Sequence, residues 1–119
     1  MTHRSLDIVL DEMLDAIAQI ERACAGKTVA DLESDWVLAR AIERGLEIVS
    51  EASRHLPDEV KARYPDIPWQ AVRALGNVLL HEYHRVSGRI VWNVVTDDLP
   101  KLAETLKQIA DGEKRPTAE

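Results

Sequence analysis

The 119-residue chain contains no phenylalanine, one cysteine, five glycines and five prolines. A single thiol, Cys24, excludes an intrachain disulfide and a cysteine-rich zinc site. There is no H-E-x-x-H sequence and no aspartate-rich loop, so no metal is assigned. No apolar run reaches roughly 18 residues, which argues against a membrane-spanning helix. Met1 to Leu10 lacks the apolar core of a secretion signal, so the cytoplasm is the expected location. An excess of cations is missing too, since the formal net charge is −6. A protein that grips many duplex phosphates presents a basic face, so DNA binding is not expected. A small local RNA site is still compatible with that total.

What is present is a helical pattern. Aromatic residues make up 4% of the chain, and the apolar load rests on Leu, Ile, Val and Ala, which favours helices over sheets. Between Ser5 and Cys24, Leu6, Val9, Leu10, Met13, Leu14, Ile17 and Ile20 recur at three- and four-residue steps, the stripe of an amphipathic helix. Gly26 ends it, and Thr28 with Asp31 resembles a capping arrangement for a second helix. That helix is predicted from Val29 to about Leu56, with Leu32, Trp36, Ala39, Ile42, Leu46, Val49 and Ala52 facing inward. At ~1.5 Å per residue it is a long rod for so small a domain, which points to a break near Asp35 or a kink near Gly45.

Asp58 to Tyr64 reads as a short helix, and Pro65-Asp66-Ile67-Pro68 as a rigid connector. Pro68 suits the first turn of a third long helix carrying Trp69, Val72, Leu75, Leu79 and Leu80. The chain turns near Ser87-Gly88, a further helix spans about Arg89 to Val95, and Leu99-Pro100 opens the last. The predicted fold is all-α, a helical bundle of four or five helices in one domain over residues 1–111. Residues 112–119 are expected to form a disordered tail.

Three segments carry a family resemblance. Arg44-Gly45-Leu46-Glu47-Ile48-Val49-Ser50-Glu51-Ala52 resembles the pattern R-x-L-E-I-I-G-E-A. Tyr64-Pro65-Asp66-Ile67-Pro68-Trp69 resembles H-P-D-I-P-W. Leu75-Gly76-Asn77-Val78-Leu79-Leu80-His81-Glu82-Tyr83 resembles M-R-N-x-x-x-H-x-Y. Together they mark a resemblance to the HepT-like (DUF86) branch of the HEPN ribonucleases. The resemblance implies a homodimeric toxin that cleaves RNA without metal through an R-x4-H-x-Y motif. It also implies a partner, a MntA-type minimal nucleotidyltransferase antitoxin, which moves AMP from ATP onto the motif tyrosine. ATP and Mg²⁺ belong to that partner, and no cofactor is expected in this chain.

Carried onto this sequence, the motif makes His81 the catalytic histidine, with Asn77 beside it, and Tyr83 the modified tyrosine. The arginine position falls on Gly76. Metal-free cleavage needs a group that takes the ribose 2′-hydroxyl proton, a role an imidazole with pKa near ~6.5 suits. It also needs a cation to steady charge on the phosphate, which a guanidinium does best. Glycine supplies none, and the loss of one such group commonly costs about 10²–10³ in rate. Glycine inside a helix also costs about 1 kcal/mol against alanine, and nothing in the helical pattern calls for it. Arg73, one turn before Gly76, and Arg85, one turn after His81, are the nearest candidates for RNA phosphate contacts.

Each residue has a plainer reading. Without the motif, His81 is a structural or solvent-exposed histidine and Tyr83 a half-buried packing tyrosine. His84 is read as surface. Trp36, Trp69 and Trp92 are read as core or interface residues rather than platforms for bases. Glu47 and Glu51 form a solvated face with Arg44 and Arg54. The rival function is a non-catalytic binding subunit that docks a nucleotidyltransferase, favoured by Gly76 and the acidic total.

Overall fold

The computed structural model describes residues 5–82 and 88–114, with side chains over residues 5–79 and 88–112. Among the described residues seven α-helical segments follow one another: α1 (Leu6–Cys24), α2 (Val29–Ser34), α3 (Trp36–Ser53), α4 (Asp58–Ala62), α5 (Trp69–Glu82), α6 (Gly88–Asn93) and α7 (Leu99–Lys114). A π-helical turn, Val94–Asp98, links the last two. No strand occurs among the described residues. Four helices are long, and α3 lies between two of the others, against α1 on one side and α5 on the other; α7 covers α1.

The predicted stripes form the core. Leu10, Met13, Ile17, Ile42, Leu46, Val49, Leu102 and Leu106 are buried. Leu14 and Leu75, also expected inside, are half-buried at the edge of the same cluster. Fully burying a side chain of this size contributes roughly 1.5–3 kcal/mol, so the stripe positions dominate the stability.

The predicted second helix is two helices. Asp35 takes an extended conformation (φ −103°, ψ 103°) and its side chain accepts from the Leu38 amide at 3.1 Å, capping α3. Capping by aspartate competes well with continuing the helix, because it satisfies a donor otherwise left free. The break redirects Trp36, which is 69% exposed rather than inward-facing. Its ring lies 5.3 Å from the Arg40 guanidinium carbon, a cation–π contact. Upstream, Thr28 and Asp31 form a reciprocal capping box: Asp31 Oδ2 accepts from the Thr28 amide at 2.8 Å, and Thr28 Oγ1 accepts from the Asp31 amide at 3.3 Å. Gly26, at φ +74°, supplies the left-handed residue that closes α1.

The connector is built as its sequence suggests. Ile67 is buried, and the Trp69 indole donates to the Tyr64 carbonyl at 3.0 Å, which fixes the entry of α5. The last helix opens at Leu99, as expected, but no break separates it from the helix before it. Leu99 is helical (φ −61°, ψ −39°), so α6, the π-turn and α7 run on continuously. Val91, Val95 and Leu99 are all buried and stand four residues apart. Two such steps overshoot two ordinary turns of ~3.6 residues, and the wider π-turn takes up the excess.

Gly45 does not kink α3, which is unbroken through it. It is a packing glycine: a Cβ there would lie 2.5 Å from Ile20 Cγ1 and 2.7 Å from its Cδ1. Ile20 is itself buried in α1, so it must shift within the core to admit a methyl group. Gly45→Ala is therefore expected to destabilise by about 1–3 kcal/mol through overpacking, despite alanine's better helix propensity. Urea unfolding should show a lower midpoint at unchanged m-value. A midpoint equal to or above that of the parent would contradict this packing.

Candidate functional site

The site residues singled out by sequence lie on α5, and the geometry there is set by one side chain of α3. Ser50 is buried, and its hydroxyl does two things at once. It donates to the Arg73 carbonyl at 2.8 Å and accepts from the Gly76 amide at 3.0 Å. A serine hydroxyl has one donor and two acceptor lone pairs, so both bonds are made without conflict. The main chain of α5 is thereby held against α3 over a single turn.

That approach explains the glycine. A Cβ on Gly76 would lie 3.0 Å from Ser50 Oγ, 3.2 Å from Ser50 Cβ and 3.8 Å from Glu47 Cα. A side chain at position 76 requires Ser50 to give way by a few tenths of an ångström, which strains its two hydrogen bonds. The expectation that nothing calls for glycine here is therefore corrected: the helix's own pattern does not, but the neighbouring helix does.

Above this contact runs an open groove of about 290 Å³, walled by Arg44, Glu47, Glu51 and Arg54 of α3 and by Gly76 and Asn77 of α5, with Ser50 between them. Arg44 Nη1 stands 3.4 Å from Glu47 Oε1, and Arg54 Nε stands 3.5 Å from Glu51 Oε1. Glu51 Oε2 is also 3.8 Å from His55 Nε2. Chemically the groove offers two guanidinium forks, two carboxylates and the exposed Asn77, a surface suited to a polar, charged chain rather than an apolar ligand.

The structure thus brings Gly76 and Asn77 together with two arginines that sequence reading had left on a solvated face. Arg73 contributes its carbonyl to the Ser50 contact, while its side chain is exposed and does not line the groove. His81 stands on α5 one turn beyond Asn77; its side chain, and Tyr83, His84 and Arg85 altogether, lie outside the described residues. Ser50 was missed because a serine inside an amphipathic helix carries no signal of its own. The informative feature was a pair of small residues, Ser50 and Gly76, on two helices destined to pack. Among the described residues no three His, Cys, Asp or Glu side chains cluster as metal ligands, and no helix is long and apolar enough to cross a membrane.

Comparison with known proteins places this site in context. Residues 13–109 match the family model described as Ribonuclease HepT-like. A provisionally named RNase of Caldanaerobacter subterraneus subsp. tengcongensis is 37% identical over 95 residues, covering 80% of this chain and 84% of that one. The Probable ribonuclease HepT of Thermococcus cleftensis is 33% identical over 99 residues, 83% of this chain and 90% of that one. No solved structure matches.

The Ser50–Gly76 contact predicts a reversal of sign. Gly76→Ala should destabilise by roughly 1 kcal/mol, because losing two hydrogen bonds of ~0.5–1.5 kcal/mol each outweighs a helix-propensity gain of ~1 kcal/mol. In a Ser50→Gly background the same change should stabilise, since the obstruction is gone and only propensity remains. A double-mutant cycle by urea unfolding measures this coupling. Additive effects would show that the two positions do not interact.

Proposed function

The chain belongs to the Ribonuclease HepT-like family, and from that membership we propose that it is the toxin of a toxin–antitoxin pair, an RNA-cleaving homodimer of the cytoplasm. The observation that carries the reading is the match of residues 13–109, which takes in α5 with Asn77 and His81 and the groove beside them. In the proposed reaction His81 takes the proton from a ribose 2′-hydroxyl. The 2′-oxygen then attacks the adjacent phosphorus and the 5′-oxygen leaves with a proton, giving a cyclic phosphate and a 5′-hydroxyl. Asn77 and Tyr83 support the histidine. The partner is a MntA-type nucleotidyltransferase that brings its own ATP and Mg²⁺ and places AMP on Tyr83, adding negative charge and bulk where the RNA phosphate would come.

Gly76 makes this copy a weak nuclease. Where the family pattern has arginine on α5, this chain has glycine; where R-x-L-E-I-I-G-E-A has glycine on α3, this chain has Ser50. Small and large residues have changed sides across one contact, which accounts for both departures together. The same substitution is what favours the rival reading, a binding subunit without catalysis that docks the nucleotidyltransferase.

The test is RNA cleavage and growth arrest by the parent chain, Gly76→Arg, and Ser50→Gly with Gly76→Arg. The double variant should cut about 10²–10³ faster than the parent, the usual worth of one preorganised charge. Gly76→Arg alone should fall short of it, because Ser50 obstructs the new side chain. Adding His81→Ala should abolish cutting. A parent as fast as the double variant would show that Gly76 costs nothing, and no cutting by any variant would favour the binding subunit. Co-expression with the nucleotidyltransferase should add the mass of AMP to the Tyr83 peptide, and AMP incorporation undiminished in Tyr83→Phe would rule that residue out.

A further inference from the structure

We infer that Arg44 and Arg54 of α3 are the phosphate contacts of this site, holding a single RNA strand along the groove over Gly76. The inference rests on the ribonuclease reading and deepens it. Arg44, Glu47, Glu51 and Arg54 follow one another at steps of three, four and three residues, so they share one face of α3. That face lines the groove opposite Gly76 and Asn77. The two arginines stand at its ends, ten residues and therefore ~15 Å apart along the helix, a separation that a few nucleotides of extended strand would bridge. Between them the missing side chain at position 76 leaves the passage open.

The charge arrangement is a compromise. Two carboxylates in the same groove cancel the two guanidinium charges, and their repulsion of phosphate limits affinity. The ion pairs nevertheless hold the arginines loosely. They are 3.4 and 3.5 Å long, and the Arg44 side chain keeps 73% of its surface in solvent. Exposed pairs of this kind contribute little and are readily exchanged for another acceptor. A guanidinium has five donors in a planar fork that matches a phosphate in two places, so a phosphodiester competes well with one long carboxylate contact. Arg73, the sequence's first candidate, does not line this groove.

The experiment is binding of a fluorescent, non-cleavable 2′-O-methyl oligoribonucleotide across a series of salt concentrations, using the full chain. On single strands each phosphate contact contributes about 0.7 to the slope of log affinity against log salt. Arg44→Ala and Arg54→Ala should each lower the slope by about 0.7 and weaken binding about fivefold at 0.1 M salt. The pair together should cost about twenty-five-fold. Lysine at either position should restore the slope, since it keeps the charge, and melting temperature should be unchanged in all variants. Lys107→Ala, on α7, should alter neither slope nor affinity. Parent-like slope and affinity in both alanine variants would overturn the inference while leaving the ribonuclease reading intact. Loss of affinity at unchanged slope, or loss that lysine does not restore, would also count against it. A parent chain that neither binds nor cuts RNA would overturn both.

Discussion

One hydroxyl sets the main-chain contact between α3 and α5 at the candidate site. Ser50 sits inside the interface between α3 and α5 and bonds the main chain of α5 at two points a single turn apart. Main-chain groups inside a helix ordinarily bond only to one another, so an outside group that reaches them requires a very close approach. Glycine at position 76 permits that approach. The groove lined by Gly76 and Asn77 lies over this contact. On the opposite face of α3 the same device recurs in apolar form, where Gly45 admits Ile20 of α1. The central helix is thus clamped from both sides by contacts into which an added methyl group fits only if a neighbour moves, and close-packed interiors do not absorb such changes cheaply.

Much of the fold was legible because it depends on periodicity within single helices. The stripe from Leu6 to Ile20, the capping pair Thr28 and Asp31, the stop at Gly26 and the Pro65–Pro68 connector are all local features, and each appears as read. The departures arise where two local rules compete or two helices meet. The break falls at Asp35, one of the two places the sequence offered, but its capping bond also turns outward Trp36, which the apolar period had placed inside. The π-turn at Val94–Asp98 occupies the stretch that the sequence reading left between two helices. Gly76 had no explanation from its own helix because the reason for it is on another one.

The same limit applies to the site. Motif spacing singled out Gly76, Asn77 and His81 on one segment, and that segment is the helix beside the groove. It could not associate Arg44 and Arg54 with them, since the arginines are more than twenty residues away in sequence and reach the groove only through the packing of α3 on α5. A chain with net charge −6 can still handle a polyanion if its few useful cations are gathered at one place. The glutamates between them offset their charge.

The bond between the Gly76 amide and Ser50 is central to the site, and amide hydrogen exchange followed by NMR reads it at a single residue. The parent chain should show slow exchange at Gly76. In Ser50→Ala the Gly76 amide should exchange markedly faster, while Leu79, one turn further along the same helix, keeps its rate. Equal exchange at Gly76 with and without the hydroxyl would contradict this, because the Gly76 amide would then not depend on its bond to Ser50.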